Sequence, residues 1–289
     1  MNTVAPELSI VIPGHNGAEW ITEQLDGLAL SLAEGPSAEI LVVDNRCTDD
    51  TIGVVGRWSD QTGIPVRVVP ANERAGEPYA RNVGFRAART DFIAYCDADD
   101  VVAPTWTSAM LKMLKSADYV TGPLDTHRLN SPEAADMRGQ ALFRELPTLH
   151  GVVPFAHGCN MGFRRSVLEQ TGGFDETYLI GCDIEMAIRL WRADVTLMWS
   201  PEALVHYRLR STPRAVYRQA RAYGRSRLRF DALVPELEPT HGATKQLRRL
   251  AWLMRHLPDL RSLEGRFKWS WVSGQVVGEV EGLLRRQQP

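Results

Sequence analysis

Two short apolar runs, Leu8-Ser-Ile-Val-Ile-Pro13 and Glu39-Ile-Leu-Val-Val-Asp44, enclose a stretch in which Ile21, Leu25, Leu28 and Leu32 recur at helical spacing. That arrangement limits what the chain can become more than anything else in it. A buried strand, an amphipathic helix and a second buried strand make a βαβ unit, whose strands lie parallel with a right-handed crossover. The alternation continues. A helix is expected from Thr51 after the cap-rich loop Asn45 to Asp50, a third strand over Ile64 to Val69, and a helix from Pro78 through Arg89. The predicted fold class is α/β, with a mostly parallel sheet flanked by helices.

That last helix leads into Asp91-Phe-Ile-Ala-Tyr-Cys-Asp-Ala-Asp-Asp100, a strand-like run ending in three carboxylates. In extended backbone Asp97 and Asp99 would point to one side. Crowded carboxylates repel unless a cation or a shared proton neutralises them. A solvated acidic turn or a helix N-cap is one reading, because Pro104 follows shortly. A hard-cation site at the C-terminal edge of a parallel sheet is the other, since open α/β folds bind ligands there.

Further along, a helix is expected from Thr105 to Lys115 with Trp106, Met110 and Met113 on its apolar side, then a strand over Asp118 to Thr121. Gly122 to Gly151 shows no sustained period. Gly158 to Arg165 reads as a strand, followed by a short helix with Ser166 as N-cap and Gly172-Gly173 as its end. Ile184, Ile188 and Trp191 mark one face of a helix that begins near Asp183, and Val195 to Trp199 and Ala203 to Tyr207 supply late strands. After Pro213 the chain reads as helix over Arg214 to Leu233, Ala243 to His256 and Leu263 to Arg286.

The net charge of −2 conceals a split: residues 1–207 carry 16 Lys+Arg against 28 Asp+Glu, whereas residues 208–289 carry 17 against 7. The expected organisation is therefore an acidic globular domain over 1–207 and a basic helical region over 208–289. Four scattered cysteines without a C-x-x-C pair suggest reduced thiols in a cytosolic protein. Met1 to Glu7 lacks the basic and apolar regions of a secretory signal, and the longest uncharged stretch, Leu146 to Phe163, is a poor membrane span.

Several motifs occur together in order. Ser9-Ile-Val-Ile-Pro-Gly-His-Asn16, Val42-Val-Asp-Asn-Arg-Cys-Thr-Asp-Asp-Thr51 and Ala80-Arg-Asn-Val-Gly84 precede Asp97-Ala-Asp-Asp100. Gly172-Gly-Phe-Asp-Glu176, Cys182-Asp-Ile-Glu185 and His206 follow it. Over about Leu8 to Tyr207 this order resembles glycosyltransferase family 2, inverting enzymes with a GT-A fold that use nucleotide-sugar donors.

The resemblance implies a division of labour. Asp99 would bind Mg2+ or Mn2+, Asp97 would contact the ribose or the metal, and His206 would lie near the metal or diphosphate. Asp44, with Pro13, His15 and Asn16, would line the nucleotide pocket, and Arg81 would neutralise diphosphate charge or serve as a structural salt bridge. Asp183 would be the base that takes the acceptor hydroxyl proton. Asn160, Glu185 and Trp191 are weaker candidates for the acceptor side, Trp191 being read first as core packing. Asp175 and Glu185 are nearby substitutes for the glutamate usual before Asp183, which this chain lacks, Glu185 being equally a solvated helix residue. Asp100 is either a helix cap or part of the site. The chain departs from the family at Asn45-Arg46-Cys47, where Asp-Gly-Ser is usual, and at Cys182, where Glu is usual.

The implied substrates are a UDP-, GDP- or dTDP-linked sugar and a saccharide, lipid-linked or small-molecule acceptor. An oxidoreductase is disfavoured because no G-x-G-x-x-G follows the first strand. A nucleotidyltransferase would carry a glycine-rich basic phosphate loop, which Pro13-Gly-His-Asn16 is not. A non-catalytic sugar-nucleotide or lipid-binding relative is the third reading. Arg214, Arg218, Arg221 and Arg225 form one stripe on the first C-terminal helix, suited to anionic lipid headgroups, with Trp252, Phe267, Trp269 and Trp271 as interfacial aromatics. Nucleic acid is not an expected partner, and the expected location is cytoplasmic, peripheral on the inner face of the membrane.

Overall fold

The computed structural model describes residues 5–135, 144–237 and 243–286. Within the unpatterned Gly122 to Gly151 stretch, residues 136–143 lie outside the described residues.

The first apolar run becomes β1 (Leu8–Gly14), buried along its length except at Pro13. α1 (Ile21–Ala33), β2 (Ala38–Asp44), α2 (Thr51–Thr62), β3 (Val66–Pro70), α3 (Glu77–Ala87) and β4 (Phe92–Tyr95) follow in the predicted alternation. β1 pairs in parallel with β2 on one side and with β4 on the other, and β2 pairs in parallel with β3. The strand order thus reverses at β1, and the crevice beyond the C-terminal ends of β1 and β4 is where such sheets take ligands.

The chain then gives β5 (Val101–Val102), α4 (Trp106–Leu114), β6 (Tyr119–Thr121), β7 (Leu124–Asp125), β8 (Met161–Arg164), α5 (Arg165–Thr171), α6 (Cys182–Arg192), β9 (Leu197–Trp199) and β10 (Val205–His206). The main sheet runs β9-β6-β8-β4-β1-β2-β3. β8 alone opposes the others, being antiparallel to both β4 and β6. A small sheet β5-β10-β7 closes the same edge.

Strand alternation divides the core into two layers. Ile10, Ile12, Ile40 and Val42 pack with Leu25 and Leu28 of α1 and Trp106 of α4. Val11, Val43, Ile93 and Tyr95 pack with Phe85 of α3, Leu168 of α5 and Met186 of α6.

Three local expectations need correction. β4 ends at Tyr95 and residues 97–100 form a turn, closed by a 3.5 Å Asp100 N–H to Asp97 carbonyl contact, so Asp97 and Asp99 are not in extended backbone. Asp100 caps no helix, since α4 starts six residues later behind Thr105. Ser166 is not the cap of α5; Arg164 holds that position in extended conformation, and the strand therefore runs directly into the helix.

By contact the chain divides into two compact units. One comprises Met1–Asp125, Phe143–Pro147 and Pro154–Tyr207, and the other Thr126–Leu142, Thr148–Val153 and Arg208–Pro289. The second unit contains α7 (Pro213–Leu233), α8 (Ala243–Arg255) and α9 (Leu263–Arg286). Thr212 caps α7 by accepting the Ala215 N–H at 3.2 Å.

α7 and α9 run side by side in the same direction at backbone distance. A Cβ on Gly278 would meet the Arg221 carbonyl at 2.1 Å, so only glycine permits that approach. The closeness brings α9 acids onto the α7 arginines. Arg221 donates to Glu281 at 2.9 and 3.0 Å, and Arg225 lies 3.7 Å from the same carboxylate. Glu279, 1 % exposed, pairs with Arg227 at 2.8 Å and with Arg249 of α8 at 2.5 Å. Half of the predicted arginine stripe, Arg221 and Arg225, therefore shares the one carboxylate of Glu281 within this unit, while Arg214 and Arg218 are exposed. Phe267, expected at an interface, is buried. No helix among the described residues is long and apolar enough to cross a membrane.

Candidate functional site

Parallel pairing in register brings Gly14 of β1 level with Asp44 of β2, so the loops after both strands open at one edge of the sheet. Those loops are tied together. The Asn16 side-chain oxygen accepts from Thr48 N–H at 2.7 Å and from Asp49 N–H at 3.3 Å, and Asp49 accepts from Ala18 N–H at 3.1 Å. Asp44 accepts the Cys47 N–H at 2.9 Å. Asn16 spends its carbonyl on this clamp, while the exposed His15 ring lies 2.9 Å from the Asn45 carbonyl through Nδ1.

Buried Asn45 extends the clamp toward α3. It donates to the carbonyls of Ala71 and Arg74, both at 2.7 Å, and accepts the Gly76 N–H at 2.8 Å. The next residue, Arg46, is exposed and has φ +63°, in the left-handed region where a glycine would be unstrained.

The acidic turn is fixed from beneath by Gln24 of α1, which donates to the Asp97 carbonyl at 3.0 Å and accepts the Val102 N–H at 3.0 Å. Asp97 and Asp99 remain half-buried, whereas Asp100 is fully buried. Burial pushes the Asp97 carboxyl up to about 8, with Glu77, Asp99 and Asp183 adding to the shift and Arg81 opposing it.

Arg81, 1 % exposed, is the common partner. It pairs with Glu77 one helical turn earlier, approaches Asp97 Oδ1 at 3.4 Å and donates to Cys182 Sγ at 3.1 Å. Burial works against its charge, but Glu77, with Asp97 and Asp183, holds it protonated well above the ordinary range. Gly158 makes the space: a Cβ there would lie 2.4 Å from the guanidinium. Arg81 is thus a salt-bridged support beneath the turn and not a cation open to a diphosphate.

Asp183 stands in the first turn of α6, where the free N–H groups favour an anion. Its Oδ2 accepts the Gly158 N–H at 3.0 Å and its Oδ1 accepts the Ile184 N–H at 2.9 Å. Burial raises its pKa; Arg81 opposes, Glu77 adds, and the two N–H groups pull it down. Neighbouring Cys182, its thiol pushed up to about 12 by burial, faces Arg81 as a neutral group.

His206 reaches the same edge through β10, paired with Val101 of β5, and its Nδ1 lies 2.8 Å from Asp125 Oδ2. The Gly172-Gly-Phe-Asp-Glu176 motif docks on α3: Asn82 donates to the Phe174 carbonyl at 2.8 Å and to Glu176 at 3.0 Å, and accepts the Phe174 N–H at 2.8 Å.

Three acceptor-side expectations are corrected. Asn160 is fully buried; it accepts from Trp106 Nε1 at 2.9 Å and donates to the Ala203 carbonyl at 2.8 Å, so it joins strands rather than lining a pocket. Glu185, 5 % exposed, is held at 2.6 and 2.8 Å by Arg189, which also binds the carbonyls of Thr171 and Gly173. Trp191 lies eight residues after Asp183 on α6, about 12 Å along the axis.

Glu77, Gln24, Asp125 and the Gly158 N–H were not singled out in the sequence. Only Glu77 left a sequence signal there, its i, i+4 spacing to Arg81.

A divalent cation can be tested against these donors. Ligand atoms of Asp97, Asp100 and Cys159 lie within 4.8 Å of one another, among the described residues. The oxygens suit a hard cation, but the Cys159 thiol does not: burial, with Asp100 and Asp97, keeps its proton on. Asp100 and Cys159 are also shut off from solvent, so a cation that must share ligands with a diphosphate fits the half-buried pair Asp97 and Asp99 better.

The family model for Glycosyl transferase family 2 matches residues 9–172, and that for Glycosyl transferase family group 2 matches residues 92–273. The chain is 27% identical over 233 residues to a pre-mycofactocin glycosyltransferase of Mycobacterium tuberculosis, covering 76% of this chain and 46% of that protein. It is 29% identical over 206 residues to the succinoglycan biosynthesis protein ExoU of Rhizobium meliloti, covering 65% and 58%. The chain thus spans about half the length of these relatives. Among solved structures, the mannosyltransferase PcManGT of Pyrobaculum calidifontis, in complex with GDP-Man and Mn2+, superposes with TM-score 0.65 at 17% identity, covering 99% of this chain and 89% of that one. TarS 1-349 of S. aureus in complex with UDP gives 0.58 at 17% identity, covering 97% and 92%. At these identities the likeness shows a shared GT-A fold.

Proposed function

The chain belongs to glycosyl transferase family 2, and on that premise we propose that it transfers a sugar from a nucleotide-sugar donor to an acceptor hydroxyl with inversion. The observation that carries the reading is the single buried guanidinium of Arg81 serving both the acidic turn at Asp97 and the start of α6 at Cys182-Asp183. It couples a donor-side carboxylate to an acceptor-side one at the sheet edge.

In this reading the edge formed by Pro13, His15, Asn16 and Asp44 receives the nucleoside. Asp97 contacts the ribose, and Asp97 and Asp99 would hold Mn2+ or Mg2+. When bound, that cation stabilises the negative charge that develops on the departing diphosphate. His206, oriented by Asp125, stands near the diphosphate. Asp183 takes the proton of the acceptor hydroxyl as the new C–O bond forms at the anomeric carbon. The bond to the phosphate oxygen breaks with its electron pair leaving on the nucleotide. The Gly158 and Ile184 N–H groups orient the carboxylate, and burial makes it a stronger base than a surface aspartate.

UDP-, GDP- and dTDP-sugars are the donor candidates, and a saccharide or lipid-linked molecule the acceptor. The basic second unit suits a peripheral position at the anionic inner face of a membrane. Thermal shift with each nucleoside diphosphate, with and without Mn2+, identifies the base, because a tight binder raises the melting temperature by mass action. Asp183→Asn should then bind the same nucleotide while turnover falls about a thousandfold. Wild-type turnover in that variant removes Asp183 as the base.

A further inference from the structure

α8 carries two different outer surfaces. Toward α9 it presents Gln246, Arg249 and Leu253: Arg249 pairs with Glu279, and the Leu253 carbonyl accepts from Trp269 Nε1 at 3.2 Å. Away from α9, Leu247, Leu250 and Met254 succeed one another by three and four residues, a spacing that puts them on one face, and Leu257 follows two residues beyond the helix end. They are 65, 46, 70 and 43 % exposed. Arg248 and Arg255, also exposed, border that stripe, and the helix contains no Asp or Glu.

A row of four large apolar side chains is costly in water unless something covers it. Its area is on the order of 400 Å², roughly half of what each partner of a stable dimer buries. In a symmetric pair the bordering arginines would also face each other. An apolar stripe with Arg248 and Arg255 along one side, on a helix without acids, instead matches the boundary between anionic headgroups and acyl chains.

We propose that this face of α8 seats on an anionic phospholipid surface, with the helix lying in the plane of the headgroups. This rests on the peripheral-membrane reading above and moves the contact from the arginine stripe of α7, half of which is tied to Glu281, to α8. Leu250 and Met254 enter the acyl boundary while Arg248 and Arg255 stay with the phosphates. A lipid-linked acceptor would then be met on the surface that carries it.

The test is flotation of the full chain with vesicles of phosphatidylcholine alone or with 30% phosphatidylglycerol. Wild type should float with the anionic vesicles only. Leu250→Glu/Met254→Glu should abolish flotation, and Arg248→Gln/Arg255→Gln should weaken it about tenfold. Arg214→Glu/Arg218→Glu on α7 should keep most of the binding. Each variant is checked for an unchanged melting temperature, which surface positions permit. In Met254→Trp, indole emission should shift to the blue on anionic vesicles.

Wild type that ignores anionic vesicles sinks both the membrane reading and this proposal. Flotation lost in the α7 variant but kept in the α8 variant, or a reporter that binds without shifting, leaves the membrane reading standing and overturns the assignment to α8. A wild-type dimer that Leu250→Glu/Met254→Glu converts to monomer also overturns it, in favour of a second copy as occupant.

Discussion

The Arg81 guanidinium lies 3.4 Å from Asp97 Oδ1, entirely out of solvent, and it is also the group against which Cys182 and Asp183 are set. A charge so placed acts on substrates only through the carboxylates it holds. It keeps Asp97 from being wholly protonated and lowers Asp183 against the upward effect of burial. The usual glutamate before Asp183 would give Arg81 a second full charge there; this chain places a thiol at that position and supplies Glu77 from the preceding helical turn.

Arg81→Met should therefore cost about 3 kcal/mol of stability, because it leaves Asp97 and Asp183 without the cation that offsets their burial, while exposed Glu77 returns to solvent. Arg81→Lys keeps the charge but cannot span Glu77, Asp97 and Cys182 with one ammonium, and should recover less than half of the loss. Urea unfolding measures both. Loss of donor affinity with unchanged stability would instead make Arg81 a direct ligand of the diphosphate.

Without a cation, Asp97 gives stability a pH dependence of definite sign. Its folded pKa of about 8 lies above the ordinary aspartate value of 3.8, so the folded state holds the extra proton between those values. Stability of the metal-free protein should fall as pH rises through that window. Asp97→Asn should flatten the profile, and saturating Mn2+ should also flatten it by ionising the carboxyl in the folded state. Unfolding curves from pH 5 to 8 in EDTA or Mn2+ check this; equal slopes for wild type and Asp97→Asn would refute it.

The elevated pKa of Asp183 adds to that downward slope of stability with pH and acts on rate as well. A base must be unprotonated, so on the proposed mechanism activity should fail on acidification at a higher pH than an ordinary aspartate would allow. Removing the Arg81 charge, which opposes the rise, should move that limb further up in Arg81→Met enzyme assayed below its melting temperature. The pH profile of kcat/KM measures the shift, and a downward move contradicts the assignment.

The two-layer fold could be read from the chain because its signals are local: Ile10 and Ile12 face one layer and Val11 the other, and Leu25 and Leu28 sit a turn apart. The family motifs likewise pointed to Asp97, Asp99 and Asp183 by order alone. What could not be read is set by contacts distant in sequence. Asn160 and Glu185 look like polar candidates until burial shows that Trp106, Ala203 and Arg189 use their hydrogen-bonding capacity. The arginine stripe looked unbalanced because the acid that Arg221 and Arg225 share, Glu281, lies more than fifty residues downstream. The period-two argument for Asp97 and Asp99 assumed a strand that Gln24 instead ends in a turn.

Arg46 offers a test in which stability and binding separate. At φ +63° its backbone costs about 1 kcal/mol that glycine would avoid, although glycine returns much of that as unfolded-state entropy. Arg46→Gly should therefore change stability by less than about 0.5 kcal/mol. Arg46 is exposed and lies two residues after Asp44, which the proposed reading puts at the nucleoside, so the same variant should weaken nucleoside-diphosphate binding about tenfold. Calorimetric titration decides: unchanged affinity means that Arg46 has no part in the donor site.

Asn160 should behave in the opposite way. Its amide accepts from Trp106 Nε1 and donates to the carbonyls of Ala203 and, at 3.2 Å, Pro123, while its own carbonyl accepts from Thr121 Oγ1 at 2.6 Å. Asn160→Ala removes the side-chain bonds at a fully buried position and leaves an indole N–H and two carbonyls without that partner. The expected loss is about 3 kcal/mol, the sum of buried groups left unsatisfied. Asn160→Asp keeps the acceptor for Trp106 but cannot donate, and should be at least as harmful because it buries a charge. Folded Asn160→Ala enzyme, assayed below its melting temperature, should retain the wild-type KM for the acceptor. A raised acceptor KM with unchanged stability would restore Asn160 to the acceptor pocket and contradict the strand-joining role its contacts describe.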